Sequence, residues 1–434
     1  MNMNDGSHGS HQLSGAGVPK APNAPNALPA SPPQMSGIVF EPLLDKHAPA
    51  APHRLHDTGC IDIRHVSTDD LSRTAHIRDA IIQNIAHAKK KVFFCSFLFA
   101  DDAIVNALCE ASERLRGGVY ILTALGKHLR ADVLELDADP DATTLKHEER
   151  AKRHDEHLRK LAYAGAWLRS ADGCHAKFCV IDDECVIITS ANATPEAYES
   201  NPEDGLVFHQ AQVAREYGRL FAHIWRHLTS LESTPGERLN VQSCQVAQPP
   251  IWRPLAAAGS VRPVATIRQA EASLQSAAIE IIDSSHRHLA IATYSFLAME
   301  DHVVGAALKR ALTRGVSIDL LVQPRNHVEA QRNALAWLSD LGSAQLQIFG
   351  HRRTHTKSLV ADRQKVLLWT GNLDGRHGWS DGIEVGVVVD DPAVAMAVAN
   401  WTADVMARAT HTAGRVAQAP SASLPAGQVQ ERNG

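Results

Sequence analysis

The chain repeats itself. From His175 a lysine follows at +2 (Lys177), an aspartate at +7 (Asp182) and an asparagine at +17 (Asn192); from His355 the same offsets give Lys357, Asp362 and Asn372. Four polar identities held at fixed spacing, twice in 434 residues, mark an internal duplication, which fixes architecture before any single element does. The repeat extends upstream. The strand-like run Val92-Phe93-Phe94-Cys95-Ser96-Phe97-Leu98, followed by Asp102, corresponds to Ile291-Ala292-Thr293-Tyr294-Ser295-Phe296-Leu297, followed by Asp301. Each run is preceded by helical periodicity (76–90 and 267–284) and followed by more (103–114 and 302–314). The second helix of each half stops at glycine, Gly117-Gly118 or Gly315, and a further strand pattern comes next (119–125 and 316–322). Strand, helix, strand in each half predicts an α/β fold of two similar halves, each with a parallel sheet under helical cover.

Composition sets the borders. Residues 1–36 hold only Asp5 and Lys20 as charged groups among Gly, Ser, Pro, Asn and Ala, and bury too little apolar surface to order, so they read as a disordered leader. Residues 411–434 read as a tail of the same kind. The stretch 246–263, with four prolines, reads as a linker between a first half at 54–245 and a second at 264–410. With 43 Lys plus Arg against 48 Asp plus Glu, the formal charge is -5, which argues against a chain held to nucleic acid by a large basic field. No run of about 18 apolar residues spans a membrane, and no secretory signal pattern opens the chain. The seven cysteines form no C-x-x-C pair, and the spacing of Cys174, His175, Cys179 and Cys185 does not match zinc fingers or ribbons. A reduced, cytoplasmic setting with no metal and no cofactor is expected. A second reading makes the leader a non-Sec secretion signal of the effector kind.

In an extended chain residues two apart share a face, so each histidine stands beside its lysine. The apolar segments 186–188 and 366–368 return the chain to the same place and end in Ser190/Asn192 and Thr370/Asn372. Imidazole, ammonium, amide and hydroxyl together suit a phosphate, with the cation and amide on its oxygens and a neutral imidazole able to attack phosphorus or pass a proton. Glu203 and Glu384, 28 and 29 residues after the two histidines, supply carboxylates that would fix the ring tautomers. Whether each serves its own half or the other is open.

The pattern H-x-K-x4-D, present twice and each time followed by a turn with Asn and then an acidic residue, resembles the paired motifs of the phospholipase D superfamily. The resemblance implies two α/β halves about a pseudo-twofold axis, one active site at their junction, and a metal-independent two-step phosphodiester exchange through a phosphohistidine. His175 and His355 become nucleophile and general acid/base, with His175 the nucleophile by family habit. Lys177, Lys357, Asn192, Asn372, Ser190 and Thr370 hold the phosphate, and Asp182 and Asp362 support the structure. Two departures stand out: Thr189-Ser190 and Trp369-Thr370-Gly371 replace the usual Gly-Ser pair, and an extra residue before Glu384 reshapes a rim holding Arg376, His377 and Trp379.

The expected enzyme is a phosphodiesterase that hydrolyses or transfers a phosphatidyl group, as a monomer with both motifs in one chain. The alternatives are a nuclease of the same chemistry acting on DNA or RNA, and an inactive phosphate-binding module. Elsewhere, 146–160 (KHEERAKRHDEHLRK) reads as a solvated helix face, despite His147, His154 and His157. His351-Arg352-Arg353 reads as a basic lip or a plain turn, and Phe93, Phe94, Phe97 and Phe99 as core.

Overall fold

The computed structural model describes residues 36–43, 58–68, 76–129, 144–268, 270–342, 344–375 and 378–416. All but the last residue of the expected leader, and the tail beyond 416, lie outside them. In chain order the first elements are β1 (Gly37–Pro42), β2 (Ile63–Thr68), α1 (His76–His87), β3 (Val92–Cys95), α2 (Asp102–Arg114), β4 (Val119–Leu122) and α3 (Thr144–Tyr163). Then come β5 (Trp167–Ala171), β6 (Phe178–Ile181), β7 (Cys185–Thr189), α4 (Pro195–Glu199), β8 (Glu203–Phe208), α5 (Ala211–His223), β9 (Thr229–Ser233) and β10 (Gln242–Ser243). The second half follows with β11 (Val261–Ile267), β12 (Glu271–Ala272), α6 (Ser273–Ser284), β13 (His288–Ala292), β14 (Phe296–Leu297), α7 (Val303–Thr313), β15 (Ser317–Val322) and α8 (Glu329–Gly342). It closes with β16 (Leu346–Gly350), β17 (Ser358–Ala361), β18 (Lys365–Trp369), β19 (Leu373–Asp374), β20 (Ile383–Val389), α9 (Pro392–Ala407) and β21 (His411–Val416).

The duplication is visible in the sheets. One contains the order β5-β4-β3-β6-β7-β8-β2 and the other the equivalent β16-β15-β13-β17-β18-β20-β11. Neither is purely parallel as the strand-helix-strand pattern predicts. Only β3-β4-β5 and β13-β15-β16 run parallel, because helices cross between them. The hairpins β6-β7 and β17-β18 turn through three residues, and so short a turn permits antiparallel pairing alone. At their tips Asp182 and Asp362 sit at φ 55° and 52°, in the left-handed region where Asp is among the few tolerated residues.

Between the sheets lie α5 and α9. The first touches β3, β6 and β7 of its own sheet and β11 of the other; the second touches β13, β17 and β18 and reaches β2. One core cluster therefore draws on both halves, with Phe178, Ile188, Tyr217 and Phe221 beside Val360, Leu368, Val385 and Val387. Helices α1 and α2 close a second core on the outer face of the first sheet, and α6, α7 and α8 a third on the second. Local sequence explains the helix starts: Asp101 accepts from the Ile104 N–H at the head of α2, and Asp391 caps α9 ahead of Pro392. No helix among the described residues is long and apolar enough to cross a membrane.

Two borders differ from expectation. Residues 261–263 belong to β11 rather than to a linker, since Val261 and Pro263 pair with Val389 and Val387 of the core strand β20. Residues 411–416 form β21, not a tail, because β1 lies against them in register from Gly37↔Val416 to Pro42↔His411. β1 thus joins the second half's sheet, with Ile38 and Phe40 in that half's core and the Phe40 N–H and C=O both bonded to the Asn326 side chain at 2.9 and 2.8 Å.

Candidate active site

Each histidine lies in the extended run just before β6 or β17, and its backbone is tied to the opposite half. The His175 N–H donates to the carbonyl of Ile383, the residue before Glu384, at 3.1 Å; the His355 N–H donates to the carbonyl of Pro202, the residue before Glu203, at 3.0 Å. Those ties bring the side chains together in crossed fashion. His175 Nδ1 lies 2.8 Å from Glu384 Oε1, and His355 Nδ1 lies 2.7 Å from Glu203 Oε1. Each glutamate orients the other half's histidine, which settles what the sequence leaves open. The reciprocity is that of a twofold axis, and it joins both motifs in one site.

Each imidazole also faces a cation. Lys177 Nζ stands 2.8 Å from His175 Nε2 and 2.8 Å from the His175 carbonyl. Lys357 Nζ stands 3.1 Å from both ring nitrogens of His355 and 2.8 Å from the His355 carbonyl. An ammonium only donates, so with lysine charged Nε2 of His175 carries a lone pair and Nδ1 carries the proton toward Glu384. Burial opposes ionisation of Glu384, but the His175 imidazole, Lys177 and the Thr370 hydroxyl outweigh it and hold the carboxyl below the usual range. Both lysines are buried, at 1% and 0% exposure, while the His175 side chain keeps 19% and that of His355 only 6%. The His175 ring sits 6.2 Å from that of Phe97, and the His355 ring edge-on to Tyr294 at 5.2 Å.

Ser190 and Thr370 are placed otherwise than as phosphate contacts. Both are fully buried; the Ser190 hydroxyl donates to Glu203 Oε2 and the Thr370 hydroxyl to Glu384 Oε2. A hydroxyl has one hydrogen, so each is committed to the carboxylate behind a histidine. Asn192, by contrast, lines a cleft with Glu203 and His355, and Asn372 holds a buried Oδ1 with no hydrogen-bond partner among the described residues. Asp182 accepts the N–H groups of Lys89, Lys90 and Lys91 at 2.6, 2.7 and 2.9 Å, and Asp362 those of His286, Arg287 and His288 at 2.8, 2.9 and 2.8 Å. Burial pushes each carboxyl up, but the three N–H donors win and both end below the usual value. They tie each hairpin tip to the chain entering β3 or β13.

Other expectations shift. His154 and His157 are buried rather than solvated: His154 accepts from the Phe99 N–H at 2.9 Å and faces the Ala124 carbonyl at 2.9 Å, while His157 meets Asp102 at 2.8 Å. The face of α3 that they share packs on the loop after β3, which needs donors and acceptors for its backbone. Trp379 is no rim residue; it is 2% exposed and packs near Trp369, ring centroids 6.3 Å apart. Arg376 and His377 lie outside the described residues. His351 is buried and only Arg352 of that lip is exposed. Phe94, Phe97 and Phe99 are buried, and Phe93 stacks on Phe221 at 4.6 Å. Cys174 Sγ meets Cys95 Sγ at 3.7 Å, whereas Cys179 and Cys185 pack in the outer core of the first half. Arg150, in the cleft beside His355, carried no distinguishing sequence signal beyond sharing a helical face with His154 and His157.

Comparison with known proteins agrees with this geometry. The chain matches the family described as cardiolipin synthase, PLD-like domain, over residues 81–225 and 278–406. It is 29% identical to cardiolipin synthase A of Proteus mirabilis (strain HI4320) over 143 residues, 32% of this chain and 29% of that protein. It is 30% identical to cardiolipin synthase A of Buchnera aphidicola subsp. Acyrthosiphon pisum (strain APS) over 121 residues, 27% of this chain and 24% of that protein. These matches span less than a third of the relatives' length. In structure the chain is similar to phosphatidylserine synthase of Haemophilus influenzae Rd KW20, with a TM-score of 0.54 and 16% identity over 81% of this chain and 87% of that one, which shows a common fold. Two segments match one PLD-like family and each carries one His-x-Lys motif, so the chain belongs to the phospholipase D superfamily.

Proposed function

We propose that the protein transfers a phosphatidyl group from one alcohol oxygen to another, or to water, through a phosphohistidine on His175. The observation that carries this is the crossed pairing of each histidine with the other half's glutamate, with a lysine beside each imidazole. Nε2 of His175 attacks phosphorus and the bond to the departing alcohol breaks, that oxygen taking a proton from His355. The incoming alcohol or water then gives its proton to His355 and attacks phosphorus, and the P–N bond breaks. Glu384 supports the imidazolium of His175, while Lys177, Lys357, Asn192 and Asn372 stabilise the phosphoryl oxygens. The greater exposure of His175 favours it over His355 as nucleophile. The relatives named as synthases favour transfer of a lipid group.

The test offers the purified chain, with chelator present, a panel of phospholipids and single- and double-stranded DNA and RNA. His175→Ala and His355→Ala stand beside the wild type. Turnover of phospholipid that each variant lowers by at least about 10³-fold is expected. Turnover of nucleic acid alone refutes the lipid reading, loss of activity on chelation refutes the metal-independent route, and turnover of nothing leaves a binding module.

A further inference from the structure

Cys95 ends β3 and Cys174 comes just before His175; both thiols are free, and their sulfurs lie 3.7 Å apart. A disulfide bond is about 2.05 Å long, so oxidation would draw the two together by roughly 1.7 Å. They are held unequally. Cys95 is 1% exposed, pairs with Leu122 on one side and Phe178 on the other, and aims its thiol at the Ala176 carbonyl at 3.2 Å. Cys174 is half-buried, in the run between β5 and β6, where it makes a single bridge to Ile383. The movement therefore falls on Cys174. The second half has no such pair. Cys95 faces Phe178, three residues after His175, whereas Ala292 faces Ser358, three residues after His355, and the residue before His355 is Thr354. A duplicated framework that places Ala and Thr there in one half does not need two thiols for folding in the other.

The neighbouring Cys95 thiol holds that of Cys174 below its ordinary value, helped by the Ala176 backbone and His175 against burial, whereas burial pushes the Cys95 thiol up. Cys174 is thus both the readier thiolate and the sulfur nearer solvent. We infer that Cys174 and Cys95 form a peroxide-responsive modification site, whose reversible disulfide pulls His175 from its contacts with the other half and shuts the active site. The thiolate of Cys174 attacks one oxygen of a peroxide, the O–O bond breaks, and the other oxygen leaves as water, which gives a sulfenic acid. Cys95 Sγ then loses its proton and attacks Cys174 Sγ, the S–O bond breaks, and a second water leaves. Two thiols are oxidised by two electrons and hydrogen peroxide is reduced to two waters. The contacts at stake adjoin the residue that moves: the His175 N–H on the Ile383 carbonyl at 3.1 Å and His175 Nδ1 on Glu384 at 2.8 Å. Displacing a reacting group by about 1 Å can cost on the order of 10²-fold in rate. The loss of activity rests on the reading of His175 as nucleophile; the disulfide does not.

The test treats the reduced full chain with hydrogen peroxide and returns half of the sample to dithiothreitol. Non-reducing peptide mapping by mass spectrometry is run beside turnover of the phosphodiester that the reduced wild type accepts. A peptide pair linked through Cys95 and Cys174 is expected, with turnover lower by about tenfold or more and restored by the reductant. Cys174→Ser is expected to form no such link and to keep its turnover in peroxide. Cys95→Ala, which carries the second half's residue at that place, is expected to stop at the sulfenic acid, trapped by dimedone on the Cys174 peptide. Cys109→Ser, whose sulfur faces the Lys160 carbonyl at 3.8 Å, is expected to respond as the wild type does. The wild-type map needs no variant, so a substitution that unfolds the chain does not block the test. Absence of the linked pair from the peroxide-treated wild type overturns the inference. So does full turnover by the linked form, or equal inactivation of Cys174→Ser. Turnover of nothing by the reduced wild type refutes the phosphodiester reading instead, and the linked peptide still decides the thiol pair.

Discussion

What separates a nucleophilic histidine from an ordinary one is which ring nitrogen holds the proton. At His175, the nucleophile of the proposed mechanism, a carboxylate meets Nδ1 and an ammonium stands at Nε2. Glu384→Gln keeps the shape but cannot balance an imidazolium, so kcat is expected to fall by about 10² to 10⁴ with KM little changed, measured by steady-state kinetics. Asp182 acts on stability instead. Its folded-state carboxyl lies below the usual value near 3.9, so its contribution is present above that pH and is lost as pH falls through the folded value. Asp182→Asn is therefore expected to cost about 2–3 kcal/mol at pH 7 in urea unfolding and progressively less as pH falls below the usual carboxylate value, and a cost that does not change with pH would refute the assignment. The sequence made His, Lys, Asp and Asn legible because their offsets repeat. It hid the roles of Ser190 and Thr370, since a hydroxyl can serve phosphate or carboxylate and only the packing of β8 and β20 shows which.

Among the elements, the strands and helices that repeat between halves could be read from periodicity, whereas β21 could not. Its six residues are small or polar, four exposed and two half-buried, with no alternating apolar run, and it is a strand because β1 and the edge of β16 offer free backbone groups. α3 misled in the opposite sense, since alternating charges on one face concealed buried histidines on the other. The strand β1 is anchored chiefly by Phe40, 3% exposed in the second half's core. Phe40→Ala is expected to destabilise the chain by about 3–5 kcal/mol while leaving kcat near its wild-type value, checked by urea unfolding and assay below the transition. Coupled loss of activity in the folded variant would show that β1 acts on the site as well.

For the whole molecule, the consequence of the crossed pairs is that neither half holds a complete site. The shared core between the sheets, the two His–Glu pairs and the Tyr217 hydroxyl on the Gly386 carbonyl at 2.5 Å all join the halves. Calorimetry is expected to show one cooperative transition for the two halves, and two separable transitions would contradict so strong a coupling. The duplication made the two-half plan and the two motifs legible; the crossing was not, because sequence offsets within a half carry no record of which partner lies across the interface. The most direct measurement is a rapid quench of the chain turning over phospholipid labelled in its phosphate, followed by peptide mapping. An acid-labile, base-stable label on the peptide containing His175 is expected; turnover with no label there, or with the label on His355 instead, would contradict the account.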